Sequence, residues 1–141
     1  MALRYKDYPG LVAWHVANEY STFCHCENCE KKFRVWLKKK YGTTEELNKR
    51  WNTSFWGRTV YDFDTIMLPT ERNDDDKFFP AKQLDYQRFV TDTTEECFLN
   101  EANVLRRITP DIPVFSNISG FIKKLNQFQL TRNMDIVGWD N

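Results

Sequence analysis

The sequence predicts an α/β fold organised on a parallel sheet. Short apolar runs alternate with long stretches of helical periodicity, in the order strand, helix, strand, helix, strand. That order requires right-handed crossovers, which place helices against the sheet. The size agrees, since 141 residues that are 41% apolar and 16% aromatic suffice for one domain burying roughly two thirds of its unfolded surface.

The first strand is expected at Leu11 to Val16 (LVAWHV), a β-branched and aromatic run behind the turn pair Pro9-Gly10. The cysteine-rich stretch from Cys24 leads into a helix over Glu27 to Tyr41, where Phe33, Trp36, Leu37 and Tyr41 recur at helical spacing and Gly42 supplies the stop. Thr43 with Glu46 predicts a capping box for a short helix ending near Trp51. Residues 53 to 80 have no sustained period and include Asp74-Asp75-Asp76, so they are expected to form a long loop, a feature that is usually functional or partly disordered. A long helix is expected over Ala81 to Ile108, with Leu84, Phe89, Cys97, Phe98 and Leu105 as apolar positions and Thr109-Pro110 as its end. Strands are expected at 113 to 118 (PVFSNI) and 135 to 139 (DIVGW), with a helix over Lys123 to Leu130 between them.

Charge excludes some partners. Twenty basic residues balance twenty acidic ones, leaving no summed field to draw the chain to nucleic acid or anionic lipid. No apolar run approaches the roughly 20 residues of a membrane span, and MALRYKDYPG lacks the apolar core of a signal peptide, so a cytoplasmic location is expected. Four cysteines at 24, 26, 29 and 97, three of them bunched, fit reduced thiols or a metal better than a disulfide framework.

Parallel α/β folds gather their chemistry at the carboxyl ends of the strands. Here those ends are polar: Asn18-Glu19 after the first strand, Asn117 and Ser119 at the second, Trp139-Asp140-Asn141 at the third. A carboxylate among amides and indole rings suits sugar chemistry, with an acid for the leaving oxygen, amides for the hydroxyls and aromatic faces for the ring. Asn18 and Glu19 also suit a helix cap or a solvated loop. Trp14 and His15 are expected to pack within the first strand.

Six motifs, WHVANEY, CHCENC, FRVWLKKKYGTTEELNKRWNTSFWGR, QLDYQRF, TPDIPVFSN and DIVGWDN, together resemble the middle of a family 42 glycoside hydrolase, the bacterial β-galactosidases. The likeness covers nearly the whole chain and is weakest from Val60 to Pro80. It implies a segment of a (β/α)8 barrel, about its fourth to sixth strands, and a retaining mechanism in which two carboxyl groups lie about 5 Å apart. By motif, Glu19 is the acid/base (proton donor), and Asn18 is the amide that bonds the sugar 2-hydroxyl. The family nucleophile lies on the seventh strand, beyond the last strand expected here. Trp56 resembles an aromatic lining the galactose pocket, though an ordinary core tryptophan fits the same position. Glu71, Glu95, Glu96 and Glu101 fall in the loop or on the long helix, as solvated surface.

Cys24-x-Cys26-x-x-Cys29 offers three thiolates in a spacing that suits tetrahedral zinc, at a helix amino end that lowers thiol pKa values. The resemblance implies a structural zinc whose fourth ligand is a cysteine outside this chain; reduced surface thiols without metal are the alternative. His25 lies between two ligands, where both neighbours rarely point inward, and Cys97 is expected in the core. The expected function is therefore part of a retaining β-galactosidase that carries the acid/base but not the nucleophile, with a terminal β-D-galactoside as substrate. A non-catalytic, zinc-stabilised interaction module is the alternative. Cut from a closed ring, three strands expose two raw edges, so a homo-oligomer is expected and the isolated chain should be inactive.

Overall fold

The computed structural model describes residues 1–21, 23–70 and 79–140, Trp56 by its backbone alone. Two compact units are present, one formed by Met1–Thr22 with Val90–Asn141 and the other by Phe23–Phe89.

The first unit holds α1 (Ala2–Tyr5), β1 (Trp14–Asn18), β2 (Val114–Ser119), α5 (Gln127–Thr131) and β3 (Ile136–Asp140). It also holds the carboxyl-terminal part of α4 (Pro80–Ile108). The strands form one parallel sheet in the order β1-β2-β3. This is the mixed α/β class expected from the alternation of elements.

Side chains alternate across a strand, and that alternation sorts β2 into two faces. Val114 and Ile118 join Val16, Phe98, Ala102 and Leu130 in the core, with Trp14, Tyr20, Leu99, Leu105 and Met134 packed around them. Phe115 and Asn117 point the other way. Phe98 and Ala102 are fully buried and stand one helical turn apart, so a single stripe of α4 covers the sheet.

The second unit contains α2 (Glu27–Tyr41), α3 (Thr44–Trp51), two 3-10 turns at Phe55–Gly57 and Phe63–Thr65, and the start of α4. Its centre is aromatic: Phe33 lies 5.6 Å from Tyr86 and 5.3 Å from Phe89, ring centre to ring centre. Leu37 and Leu47 are fully buried beside this cluster's helices. Gly42 ends α2 at φ 75°, a left-handed value that favours glycine, and its N–H returns to Lys38 O.

Several boundaries move from expectation. The first strand begins at Trp14 rather than Leu11 and runs on through Asn18. Pro113 supplies the reason: its carbonyl accepts Trp14 N–H at 2.8 Å, but proline has no N–H with which to extend the ladder toward Leu11. The second and third strands each begin and end one residue later than expected, at Val114–Ser119 and Ile136–Asp140.

The helix expected from Lys123 starts at Gln127, because the Asn126 side chain caps it by accepting Gln129 N–H at 3.1 Å. The long helix takes in Pro80, a residue suited to the first helical position. The stretch from residue 53 is pinned more firmly than a loose loop, since Phe63, Ile66 and Leu68 are buried. Asp74 to Asp76 and Glu71 lie outside the described residues.

Half of the capping box forms: Thr43 Oγ1 accepts Glu46 N–H at 3.2 Å, while the Glu46 carboxylate takes Arg50 at 2.6 Å. One expected core position is corrected. Cys97 is exposed, because on a helix turning about 100° per residue the neighbouring Phe98 takes the buried face. Leu84 is also exposed, next to Asp85, which turns inward instead. Among the described residues no helix is long and apolar enough to cross a membrane.

Candidate functional site

The carboxyl ends of the three strands converge on one asparagine. Asn117, 8% exposed on central β2, accepts Glu19 N–H on its Oδ1 at 3.1 Å and faces His15 Nε2 with the same atom at 2.9 Å. Its Nδ2 donates to Asn18 Oδ1 at 3.1 Å and to Asp140 Oδ2. The partners fix the amide's orientation: an N–H donor needs the oxygen, and an ionised carboxylate needs the nitrogen. His15 Nε2 therefore carries a proton, since it meets an atom that can only accept. The His15 ring lies stacked on Phe115, 4.9 Å away.

The backbone leading to Glu19 is irregular. The register of β1 on β2 slips between His15 and Asn18, and Ala17 and Glu19 adopt left-handed φ values of 55° and 46°. Neither is glycine, so each costs about 1–2 kcal/mol against an ordinary strand. A bulge of this kind re-aims side chains, and such strain gathers at functional sites. Asn18 is thus the last residue of the strand and exposed, with Glu19 half-buried just beyond it. Among the described residues no group bonds the Glu19 carboxylate. Tyr20 anchors the far side by packing against the core, and burial, with Cys97 and Glu101 nearby, pushes its hydroxyl up to about 12.

In the second unit, the Sγ atoms of Cys24, Cys26 and Cys29 all lie within 4.8 Å of one another. Cys26 immediately precedes α2, with extended backbone, and Cys29 falls in its first turn. The thiols have unlike acidities. Cys26 is lowered to about 7, first by the Cys29 N–H and then by the neighbouring thiols, whereas burial and the same neighbours push Cys29 up to about 12. Cys26 therefore gives up its proton far more readily than Cys29.

The spacing fits a zinc ion, whose sulfur ligands at about 2.3 Å stand roughly 3.8 Å apart around a tetrahedron. Cys24, Cys26 and Cys29 would hold three of its corners. His25 is turned aside, its Nε2–H donating to Pro69 O at 3.1 Å, and Tyr86 Oη holds Cys24 O at 2.7 Å.

The family profile described as Beta-galactosidase (Glyco_hydro_42) matches residues 1–141. The chain belongs to glycoside hydrolase family 42. It is 47% identical over 145 residues to the beta-galactosidase BgaP of Planococcus sp. (strain L4), covering 100% of this chain and 21% of that protein. The crystal structure of a beta-galactosidase from Bacillus circulans sp. alkalophilus is similar at TM-score 0.91 and 50% identity, over 99% of this chain and 21% of that one. That of the cold-adapted beta-galactosidase from Rahnella sp. R3 aligns at TM-score 0.93 and 31% identity, over 99% and 20%. The chain spans about a fifth of the length of the family 42 relatives that it matches. Its parallel sheet is a segment of the family's (β/α)8 barrel.

The residues expected from sequence fall into two places. Asn18 and Glu19 share the strand-end cluster, and Cys24, Cys26 and Cys29 form their own. Trp56 lies in the 3-10 turn Phe55–Gly57, its side chain outside the described residues, as is Asn141. What sequence reasoning missed in this family 42 segment is the role of Asn117, His15 and Asp140. Asn117 was visible as a strand-end amide, but its partners lie 98 and 102 residues away in sequence at Glu19 and His15.

Proposed function

We propose that the chain is the acid/base portion of a retaining β-galactosidase that hydrolyses terminal β-D-galactosides. The observation that supports this best is the strained Ala17–Glu19 segment, which leaves the Glu19 carboxylate, among the described residues, unbonded at the carboxyl end of a parallel strand while the Asn117 amide beside it is fully engaged.

In the first step the Glu19 carboxyl gives its proton to the glycosidic oxygen as the bond to the anomeric carbon breaks. A second carboxylate, supplied by a part of the enzyme outside this chain, bonds to that carbon. In the second step the Glu19 carboxylate takes a proton from water, whose oxygen attacks the anomeric carbon and breaks its bond to the second carboxylate, freeing the sugar and restoring that carboxylate. Asn18 bonds a ring hydroxyl, and Trp56, by its motif, offers an aromatic face to the sugar.

Zinc bound by Cys24, Cys26 and Cys29 is structural in this reading and cross-links the residues before α2 to its first turn. Reduced thiols of this kind suit the cytoplasm.

Activity measurements test the proposal. The chain alone, lacking a nucleophile, should hydrolyse nitrophenyl β-galactoside no faster than its Glu19→Gln variant. In the complete enzyme Glu19→Gln should lower kcat/KM on lactose by about 100-fold or more, with a smaller loss on activated aryl galactosides. Turnover by the chain alone that Glu19→Gln abolishes would show that the second carboxylate lies within it, against the proposal.

A further inference from the structure

We propose that Asn117 is a positioning residue for the acid/base pair, holding the Glu19 backbone and the Asn18 amide in their working orientation. The inference rests on the reading of Glu19 as acid/base and adds a residue that never touches substrate.

Each bonding capacity of the Asn117 side chain is used. Oδ1 serves Glu19 N–H at 3.1 Å and His15 Nε2–H at 2.9 Å, and Nδ2 serves Asn18 Oδ1 at 3.1 Å and the Asp140 carboxylate. Rotating the amide by half a turn would set its N–H groups against the Glu19 N–H and its oxygen against a carboxylate, so a single orientation survives. The cluster thereby holds two left-handed residues, Ala17 and Glu19, where ordinary strand geometry would carry the Glu19 side chain elsewhere.

Packing supplies an independent clamp. Gly138 of β3 lies against Asn117, and a Cβ built on it would stand 3.1 Å from Asn117 Cβ and 3.2 Å from its Cα. Only glycine lets β3 come that close without displacing Asn117. His15, stacked on Phe115, closes the other side.

The arrangement has a consequence for Asn18. With its Oδ1 engaged by Asn117, its Nδ2 is the group left to face substrate, so Asn18 meets the sugar as a donor to a hydroxyl oxygen.

The test measures kcat/KM of the complete enzyme on lactose and on 2,4-dinitrophenyl β-galactoside, the second of which hardly needs a proton on its leaving group. A misplaced Glu19 should harm lactose more. Asn117→Ala is expected to lower kcat/KM about 100-fold on lactose and about 10-fold on the dinitrophenyl substrate. A residue that merely supports the fold would lower both by one factor, and equal losses overturn the inference. Should Asn117→Ala fail to fold, Asn117→Asp keeps the shape and Oδ1 but loses the Nδ2 donor; it should show the same selectivity, and equal losses there count equally against the inference. Glu19→Gln is run alongside. Selective loss in Glu19→Gln without it in the Asn117 variants removes this inference alone, and equal losses in Glu19→Gln remove the acid/base reading and this inference together.

Discussion

Replacing Asp85 with alanine should cost the second unit about 4 kcal/mol of unfolding free energy. Asp85 is 1% exposed on α4 and accepts hydrogen bonds from Lys40 Nζ at 2.5 Å, Tyr41 Oη at 2.5 Å, Trp51 Nε1 at 2.9 Å and Arg88 Nη1 at 3.0 Å. Without the carboxylate the Trp51 and Tyr41 donors lose their acceptor, and each stranded donor costs roughly 1–3 kcal/mol. Lys40 and Arg88 add less, because their side chains are 30% and 54% exposed and water screens such pairs to about 1 kcal/mol or below. Asp85→Asn keeps one oxygen acceptor and should cost about half as much, roughly 2 kcal/mol.

The assay is urea unfolding of the chain followed by tryptophan fluorescence, with the denaturant slope compared between variants. The effect also has a pH dependence. Burial pushes the Asp85 carboxyl up, but bonds from Lys40, Tyr41, Trp51 and Arg88 outweigh it and hold the group below the usual carboxylate range. A folded-state pKa below the unfolded value means stability that is present above the unfolded value and lost as pH falls through the folded one. The gap between parent and Asp85→Asn should therefore be full at neutral pH and close in acid. An Asp85→Asn variant within about 0.5 kcal/mol of the parent, or a gap that persists in acid, would refute the reasoning.

Three further outcomes are expected. Purified without chelator, the chain should hold about one zinc, more weakly than a four-ligand site, and changing Cys24, Cys26 and Cys29 to Ser should remove it and lower Tm; unchanged zinc and Tm would refute the assignment. Once stripped of metal, Cys26 should react with iodoacetamide near pH 8 ahead of Cys29, because its thiol lies at about 7 and that of Cys29 at about 12, and equal labelling would contradict this. Both β1 and β3 are edges of the sheet, and Ile136, Val137 and Trp139 on β3 are 46%, 47% and 54% exposed, so light scattering of the isolated chain at micromolar concentration should show a dimer or larger species rather than a monomer.

What could be read in advance follows from the range of the interactions. Helix α2 was legible to the residue because its cause is local: Phe33 and Leu37 set the period and Gly42 the stop. The start of β1 was misplaced because it is decided by Pro113, a hundred residues downstream. Cys97 and Phe98 are both apolar, and only the packed helix shows which of the two turns inward. Asn18 and Glu19 could be found by motif and by the strand-end rule, and the cysteines by spacing. The Asn117 cluster needs the register of three strands at once, and Asp85 needs α2 and α3 to bring it Lys40, Tyr41 and Trp51. Taken alone on a helix, that aspartate reads as surface.

The backbone at Ala17 bears on how such an enzyme would respond to engineering for heat. Glycine accepts φ 55° freely, so Ala17→Gly removes a local conflict and stands out as an easy gain in a stability screen. It also frees the unfolded chain, which offsets part of that gain. More important, the left-handed alanine limits the ways in which the segment can reach Asn18 and Glu19, and glycine lifts that limit two residues before Glu19. Selection for thermal tolerance alone would be drawn to this position and would trade aim for comfort. A campaign that scores lactose turnover alongside survival should keep the alanine.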